Sequence, residues 1–253
     1  MSNYSFTYII AYKHSADRLQ NLRRVLDWIN GFANVEVIIV EQDKHSKIRH
    51  LNLKAKHVFT RCDLPFNKSH AFNVGIKSST SNLIVFGDSD LIMDPNQFIA
   101  ALSSINQYEM VNPYNTVIDL NQQESTLPFE QMIKINRPGR GETDIQKVPL
   151  CGGICLFRKE AIMRIAGWNE DFIGWGGEDD FQSIKVKQLL SYTELQAKCY
   201  HLYHERVQPD MKWYQRNLQI LNKTANMDRS QLQKVILNQL PKIGMKNKYD
   251  NFV

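Results

Sequence analysis

Short apolar runs and amphipathic stretches alternate along this chain, and their two periods separate cleanly. Phe6-Thr7-Tyr8-Ile9-Ile10-Ala11 is an apolar run of strand length, rich in β-branched and aromatic residues; Tyr12-Lys13-His14-Ser15 leaves it as a polar loop. From Asp17 to Trp28 the period changes: Leu19, Leu22, Val25, Leu26 and Ile29 fall on one side of a helix that Gly31 closes. Val35 to Val40 predicts a second strand, with Glu41-Gln42-Asp43 as its polar exit. His57 to Thr60 predicts a short strand, Ser69 to Lys77 a helix with Ala71, Val74 and Ile76 inward, and Leu83 to Phe86 a buried strand. Asp94 caps and Pro95 opens a helix carrying Phe98, Ile99 and Leu102. Strand and helix in this alternation predict an α/β domain with a mainly parallel central sheet flanked by helices.

The second half is less regular. Asn112 to Gly141 is polar and aperiodic, with Pro128, Pro138, Gly139 and Gly141 and the basic residues Lys134, Arg137 and Arg140. A mobile lid and an ordinary connection both read this way. Order resumes at Leu150 to Phe157, where Gly152 and Gly153 allow a tight bend or a close approach to a ligand, and Glu160 to Ile165 predicts a short helix ended by Gly167. From Lys212 the chain is helical and basic, with one apolar side at Trp213, Leu218, Ile220 and Leu221 and another at Leu232, Val235, Ile236 and Leu240. Pro241 and Gly244 end that pattern, so the tail from Lys242 to Val253 is expected to fray or to serve contacts. The expected organisation is an α/β domain over 1–210 and a helical extension over 211–253, packed on or near it.

Composition adds limits. The chain has 253 residues, 43% of them apolar, and 31 Lys and Arg against 26 Asp and Glu, for a net charge of +5. That suits a phosphate-bearing ligand and does not by itself indicate nucleic acid. Cys62, Cys151, Cys155 and Cys199 are scattered and read as reduced, buried thiols. The apolar run at Phe6 to Tyr12 is too short for a membrane span or a usual signal core, so a soluble cytoplasmic protein is the expectation. No Gly-x-Gly-x-x-Gly follows the first strand, and no phosphate loop ends in Gly-Lys-Ser/Thr, which disfavours the common dinucleotide and nucleotide-hydrolase classes.

Three stretches carry candidate chemistry. Leu83-Ile84-Val85-Phe86-Gly87-Asp88-Ser89-Asp90 is an apolar strand that ends in two carboxylates. Two carboxylates at alternate positions could share a divalent cation beyond the carboxyl end of a strand, where ligands of α/β sheets bind; a solvated acidic turn would look the same. Gly174-Trp175-Gly176-Gly177-Glu178-Asp179-Asp180 sets three acids behind two glycines and a tryptophan. The acids could simply favour a helix N-terminus. The flat aromatic beside them suits a sugar, its ring meeting the C–H face while carboxylates take hydroxyls. His201 and His204 stand three apart, and one imidazole could complete the metal sphere of the Asp pair.

These pieces, together with Ile9-Ile10-Ala11-Tyr12-Lys13, Phe66-Asn67-Lys68, Asn73-Val74-Gly75 and Gly152-Gly153, resemble the ordered motifs of the β-1,4-galactosyltransferase family and of the related chondroitin-polymerase-type modules of inverting glycosyltransferase family 2. The similarity runs from about Phe6 to Arg206, and the Trp-Gly-Gly-Glu-Asp-Asp string is its most specific part. The resemblance implies a GT-A fold, a UDP-hexose or UDP-N-acetylhexosamine donor, a hydroxyl acceptor and Mn²⁺, with Mg²⁺ as a substitute. It implies Asp179 as catalytic base with Glu178 fixing sugar hydroxyls. It implies Asp90, Asp88 and His204 at the metal, His204 fitting the spacing better than His201. Ala11, Tyr12, Lys13, Asp43, Phe66, Lys68, Asp88, Ser89 and Gly153 become nucleotide-sugar candidates. Trp175, Gly176, Gly177 and Asp180 become acceptor or sugar candidates. Lys13, Lys68 and Arg140 are the candidate diphosphate contacts.

The animal enzymes carry Pro and Arg where this chain has Ala11 and Lys13, which leaves the donor sugar open. They also carry a membrane anchor and a disulfide, so a bacterial or viral origin is the expectation here. A glycan is the leading acceptor, a modified base in phage DNA the minor one. A metal-dependent nucleotidyltransferase or phosphatase would also use paired carboxylates but has no need of Trp175, and a non-catalytic glycan-binding module would release no nucleoside diphosphate. Oligomeric state stays open.

Overall fold

Four parallel strands carry the first half of the chain. The structure, a computed structural model, describes residues 4–142, 148–206 and 208–249. β1 (Phe6–Tyr12) is followed by α1 (Ala16–Ile29), β2 (Val35–Asp43), β3 (Lys56–Arg61), α2 (Lys68–Ser78) and β4 (Leu83–Gly87). The strands lie in the order β3-β2-β1-β4; Tyr8 stands opposite Val37 of β2, and Thr7 opposite Ile84 of β4. β1 and β4 are buried along their whole length, as strands covered on both faces are. Alternation divides β1 between two cores: Tyr8, Ile10 and Tyr12 face the one containing Trp28 and Phe98, while Ile9 and Ala11 face the one containing Phe72 and Trp168.

The chain continues through β5 (Leu91–Met93), α3 (Pro95–Ser104), β6 (Met110–Asn112), β7 (Thr116–Asp119), α4 (Phe129–Met132), β8 (Cys155–Arg158) and α5 (Lys159–Arg164). It ends with α6 (Glu178–Leu189), β9 (Tyr192–Glu194), β10 (Lys198–His201), α7 (Met211–Ala225) and α8 (Arg229–Gln239). β8, β6 and β9 extend the sheet beyond β4; β8 runs antiparallel to β4 and β6, and β9 parallel to β6. The sheet is therefore mixed, with its parallel part where the alternation predicts it. β5, β10 and β7 form a separate small sheet. Side-chain caps mark the helix starts: Ser15, Asn67, Asp94, Asp210 and Asp228 each accept a backbone N–H of the first turn.

Two stretches that the sequence leaves open take definite form. The aperiodic stretch 112–141 contains β7 and α4 and buries Tyr114, Val117, Ile118 and Met132. The tail does not fray over 243–249: Ile243 and Tyr249 are buried, Gly244 N donates to Glu170 Oε1, and Met245 O lies 2.9 Å from His70 Nε2. The reduced-thiol reading holds, with all four cysteines free and buried. Among the described residues no helix is long and apolar enough to cross a membrane.

Candidate active site

The strand order turns between β1 and β4, and the candidate residues gather at the carboxyl ends of those strands. β4 stops at Gly87, and Asp88-Ser89-Asp90 crosses to β5. β5 pairs with β10, Leu91 opposite His201, and Leu202 N donates to Asp90 O at 2.8 Å. That register puts Asp90 beside both histidines. Asp90, His201 and His204 each offer one ligand atom, all within 4.8 Å of one another. His204 Nε2 lies 3.5 Å from Asp90 Oδ2, and His201 Nε2 lies 3.8 Å from Asp90 Oδ1. Those gaps are too long for good hydrogen bonds and suit ligand atoms arranged around one cation. Each ring is oriented through its other nitrogen: Nδ1 of His204 donates to Glu205 O at 2.9 Å, and Nδ1 of His201 lies 2.8 Å from Asp119 Oδ1. Both Nε2 lone pairs are thereby left toward Asp90. One carboxylate and two imidazoles fit a divalent first-row cation such as Mn²⁺.

The wall behind this cluster comes from the stretch that in sequence suits a lid and an ordinary connection equally. β7 runs parallel to β10, with Asp119 opposite His201. Arg140 grips the Asp119 carboxylate with two bonds of 2.9 and 3.0 Å, and Arg137 donates to the Asp119 carbonyl at 2.5 Å while pairing with Glu124. The hydrogen bond from His201 and then the charge of Arg140 hold the Asp119 carboxyl down at about 2 against its burial. Arg140, one of three candidate diphosphate contacts, pairs here with Asp119.

A second cluster surrounds Lys68. Asn67, fully buried, caps α2: its Oδ1 accepts from His70 N, and its Nδ2 donates to Glu170 O and Tyr249 Oη, each at 2.8 Å. Gln42 Oε1 accepts from Asn67 N at 2.6 Å. Lys68 follows this fixed residue, and its Nζ lies 3.1 Å from Asp88, 3.2 Å from Asp179 and 3.9 Å from Glu178. Burial pushes the Asp179 carboxyl up to about 8; Lys68 pulls it down, while Glu178 and Asp88 push it further up. Burial likewise raises Glu178, with Lys68 opposing. For Lys68 burial disfavours the charge, but the three carboxylates outweigh it and raise its pKa. Glu178 Oε2 is buried without a hydrogen-bond partner, so one acceptor in this cage is open to a ligand donor. Asp88 thus joins the Lys68 cage rather than the three-residue cation cluster, and Asp180 is exposed.

Gly177 stands before α6 with φ of 89°, and Gly176 precedes it at 100°, so this sharp entry requires glycine at both places. Trp175 is 66% exposed. Its loop is pinned on one side by Gly174 N donating to Phe66 O at 2.9 Å. On the other side Asn217 of α7, fully buried, donates to Ile173 O and Trp175 O and accepts from Ile173 N. The helical extension therefore helps to build the site.

The remaining candidates divide. Lys13 is half-buried just beyond β1, Asp43 is half-buried as the last residue of β2, and Phe66 is half-buried ahead of α2. Gly153 lies between Gly152 and Ile154, whose backbones both bond the Tyr114 hydroxyl. Ala11 and Ser89 are buried, and Tyr12 lies wholly in the core with its hydroxyl 3.1 Å from His14 Nδ1. Sequence reasoning missed Asp119, although Thr116-Val117-Ile118-Asp119 repeats the signal of an apolar run closed by a carboxylate. It left His201 behind His204, where the geometry uses both alike.

The family model "Glycosyl transferase family 2" matches residues 8–166, and "N-terminal domain of galactosyltransferase" matches residues 143–205. The chain is 29% identical over 123 residues to β-1,4-galactosyltransferase 5 of Danio rerio, a match covering 46% of this chain and 25% of that relative. Its fold resembles S. aureus TarS, with a TM-score of 0.59 at 13% identity, covering 99% of this chain and 46% of TarS. It also resembles Drosophila β-1,4-galactosyltransferase 7, solved as a mutant with manganese, UDP-Gal and xylobiose, with a TM-score of 0.51 at 14% identity over 83% of this chain and 79% of that one. The chain spans less than half the length of the first two of these relatives. With a GT-A-like fold and a family match over more than half its length, the chain belongs to glycosyl transferase family 2.

Proposed function

We propose that this chain is an inverting glycosyltransferase that moves a hexose or N-acetylhexosamine from a UDP-sugar to a hydroxyl of a glycan, using Mn²⁺ or, in its place, Mg²⁺. One observation carries this reading: two clusters with different chemistry diverge from a single strand end. Asp90 turns to the two histidines, and Asp88, two residues before it, turns to Lys68 and the acids of α6. The first suits a cation that carries a diphosphate, the second a sugar and its incoming hydroxyl.

In this reading Asp90, His201 and His204 hold the cation, which when bound supplies positive charge to the leaving diphosphate. Asp179 takes the proton from the acceptor hydroxyl as its oxygen attacks C1 of the donor sugar. The burial that raises its affinity for a proton makes it a stronger base once ionised, and Lys68 at 3.2 Å stabilises the ionised form. Glu178 offers its unpartnered oxygen to a sugar hydroxyl. Attack opposite the leaving group inverts C1 without a covalent intermediate.

A panel of nucleotide sugars, incubated with and without Mn²⁺, tests this. UDP release that depends on metal and yields a glycosylated product is the expected result. Free phosphate with no sugar transferred would assign the site to a phosphatase, and saccharide binding with no UDP release to a binding module.

A further inference from the structure

Trp175 is the most exposed aromatic near the carboxylates, yet it is not loose. Its ring lies 5.5 Å from that of Tyr214 on α7, with the planes only 31° apart. Near-parallel rings at this spacing stack with offset, so Tyr214 covers part of one face of the indole while two thirds of Trp175 stays open to solvent. The backing is tight: a Cβ at Gly176 would lie 3.0 Å from the Tyr214 ring. Neighbouring residues of α7 fix the arrangement. Asn217, one helical turn after Tyr214, ties down the carbonyls on both sides of Gly174. Trp213, beside Tyr214, packs its Cβ 3.5 Å from where a Gly174 Cβ would be, and Arg216 lies 5.5 Å from the Trp213 ring.

We propose that Tyr214 is a positioning residue for acceptor recognition: it backs Trp175 so that the indole, three residues before Glu178, presents its free face as a platform for a saccharide ring. This rests on the glycosyltransferase reading and deepens it, because the occupant is then a sugar of the acceptor rather than a nucleobase or a protein surface. The physical reasoning is short. An exposed indole beside open carboxylate acceptors matches the two-sided character of a pyranose, apolar C–H on one face and hydroxyls at the rim. A free indole would lose rotamer freedom on stacking a sugar; one already held by a second ring does not, and preorganisation lowers the cost of binding. The carboxylates of the cage and the cation ligands lie in the turn after β4, at the start of α6, and at and beyond the end of β10, not on α7, so the expected effect of Tyr214 falls on the acceptor.

The test uses the full chain with Mn²⁺ and its preferred UDP-sugar, and methyl glycosides of glucose, galactose and N-acetylglucosamine with their β-linked disaccharides as acceptor probes. Tyr214→Ala should raise the acceptor KM about three- to tenfold, the change that one aromatic pair corresponds to, and leave kcat and donor affinity within about twofold, below a tenfold step of 1.4 kcal/mol. Tyr214→Phe keeps the ring and should restore the acceptor KM. Thermal midpoints of both variants show whether the fold is kept. An unchanged acceptor KM in a folded Tyr214→Ala protein overturns the proposal. So does a donor affinity that falls in step, which would place the aromatic pair at the nucleotide. UDP-sugar hydrolysis without added acceptor separates the two levels: hydrolysis with no transfer to any saccharide sinks the acceptor platform alone, whereas no turnover of any donor sinks the glycosyltransferase reading with it.

Discussion

At the scale of single residues, the two clusters make different predictions. Asp119 touches no expected substrate but fixes the His201 ring, and removing such a partner typically weakens a metal site about 10- to 100-fold. Asp119→Ala should lower Mn²⁺ affinity by that order in calorimetry on the purified chain, with donor-free folding intact; unchanged affinity would show that His201 needs no such support. Asp179→Asn should keep metal and donor affinity and lose turnover by the factor of about 10²–10⁴ that a general base contributes. The sign of the pH effect follows from the raised pKa: a base must be ionised, so kcat/KM should climb as pH rises through about 8 and level off above it. Lys68 lowers the Asp179 pKa, so Lys68→Met should move that climb to higher pH. An acidic limb that stays in place, or that lies near the ordinary carboxylate range, would remove Asp179 from the role. The paired acids and the Trp-Gly-Gly string were legible because unusual residues stand together in sequence. Lys68 was legible as a functional lysine but not as the centre of a carboxylate cage, since its partners come from positions 20 and 111 residues away.

Elements bring those residues together, and here register does what spacing cannot. His201 and His204 are three apart, a separation that shares a face only in a helix. β10 ends at His201 and the chain leaves it in irregular form, so the two rings meet without a helix, 5.2 Å apart and nearly perpendicular. Asp119 arrives because β7 lies parallel to β10, a pairing between segments 82 residues apart that no local pattern encodes. The strands of the first half were legible because each is a buried apolar run; β7 was not, because four residues between a polar loop and a short helix carry too little periodicity. α7 was legible as an amphipathic helix, but its buried Asn217 reads in sequence as an ordinary surface residue. That asparagine makes a direct prediction. Asn217→Ala leaves the carbonyls of Ile173 and Trp175 without their donor, and an unsatisfied buried group costs about 1–3 kcal/mol. Proteolysis of the native protein should then cut near residues 173–177 first, well before the core opens; cleavage no faster than in wild type would mean that Phe66 alone holds the loop.

The whole molecule is closed by its C-terminal segment, which returns to the element that carries Lys68. Glu170, 7% exposed, is the knot: Oε1 accepts from Asn73 Nδ2 at 2.9 Å and from Gly244 N, and Oε2 meets Lys248 Nζ at 2.7 Å. The neighbouring residues of α2 join the same web, Asn67 through Tyr249 and His70 through Met245 O. Buried Asn, His and Glu look like surface residues in a sequence, which is why 243–249 read as a tail instead of a structural strap. The arrangement couples the strap to the site through Asn67, the residue immediately before Lys68. Glu170→Ala strands two buried donors and frees Lys248, and losses of about 1–3 kcal/mol per unsatisfied group predict a drop in thermal midpoint. For a domain of this size each kcal/mol moves the midpoint by about 2–4 °C, so for the two donors a fall of roughly 4–24 °C is expected. Glu170→Gln keeps one accepting oxygen and should lose less. Because the proposed Mn²⁺ ligands lie just before β5, at the end of β10 and beyond it, and none of them bonds to this web among the described residues, metal affinity measured below the new midpoint should stay as in wild type while donor turnover falls with the loosening of α2. A Glu170→Ala protein with an unmoved midpoint would show that the strap merely rests on the fold, and a loss of metal binding equal to the loss of turnover would show that the strap supports the whole site rather than the Lys68 side of it.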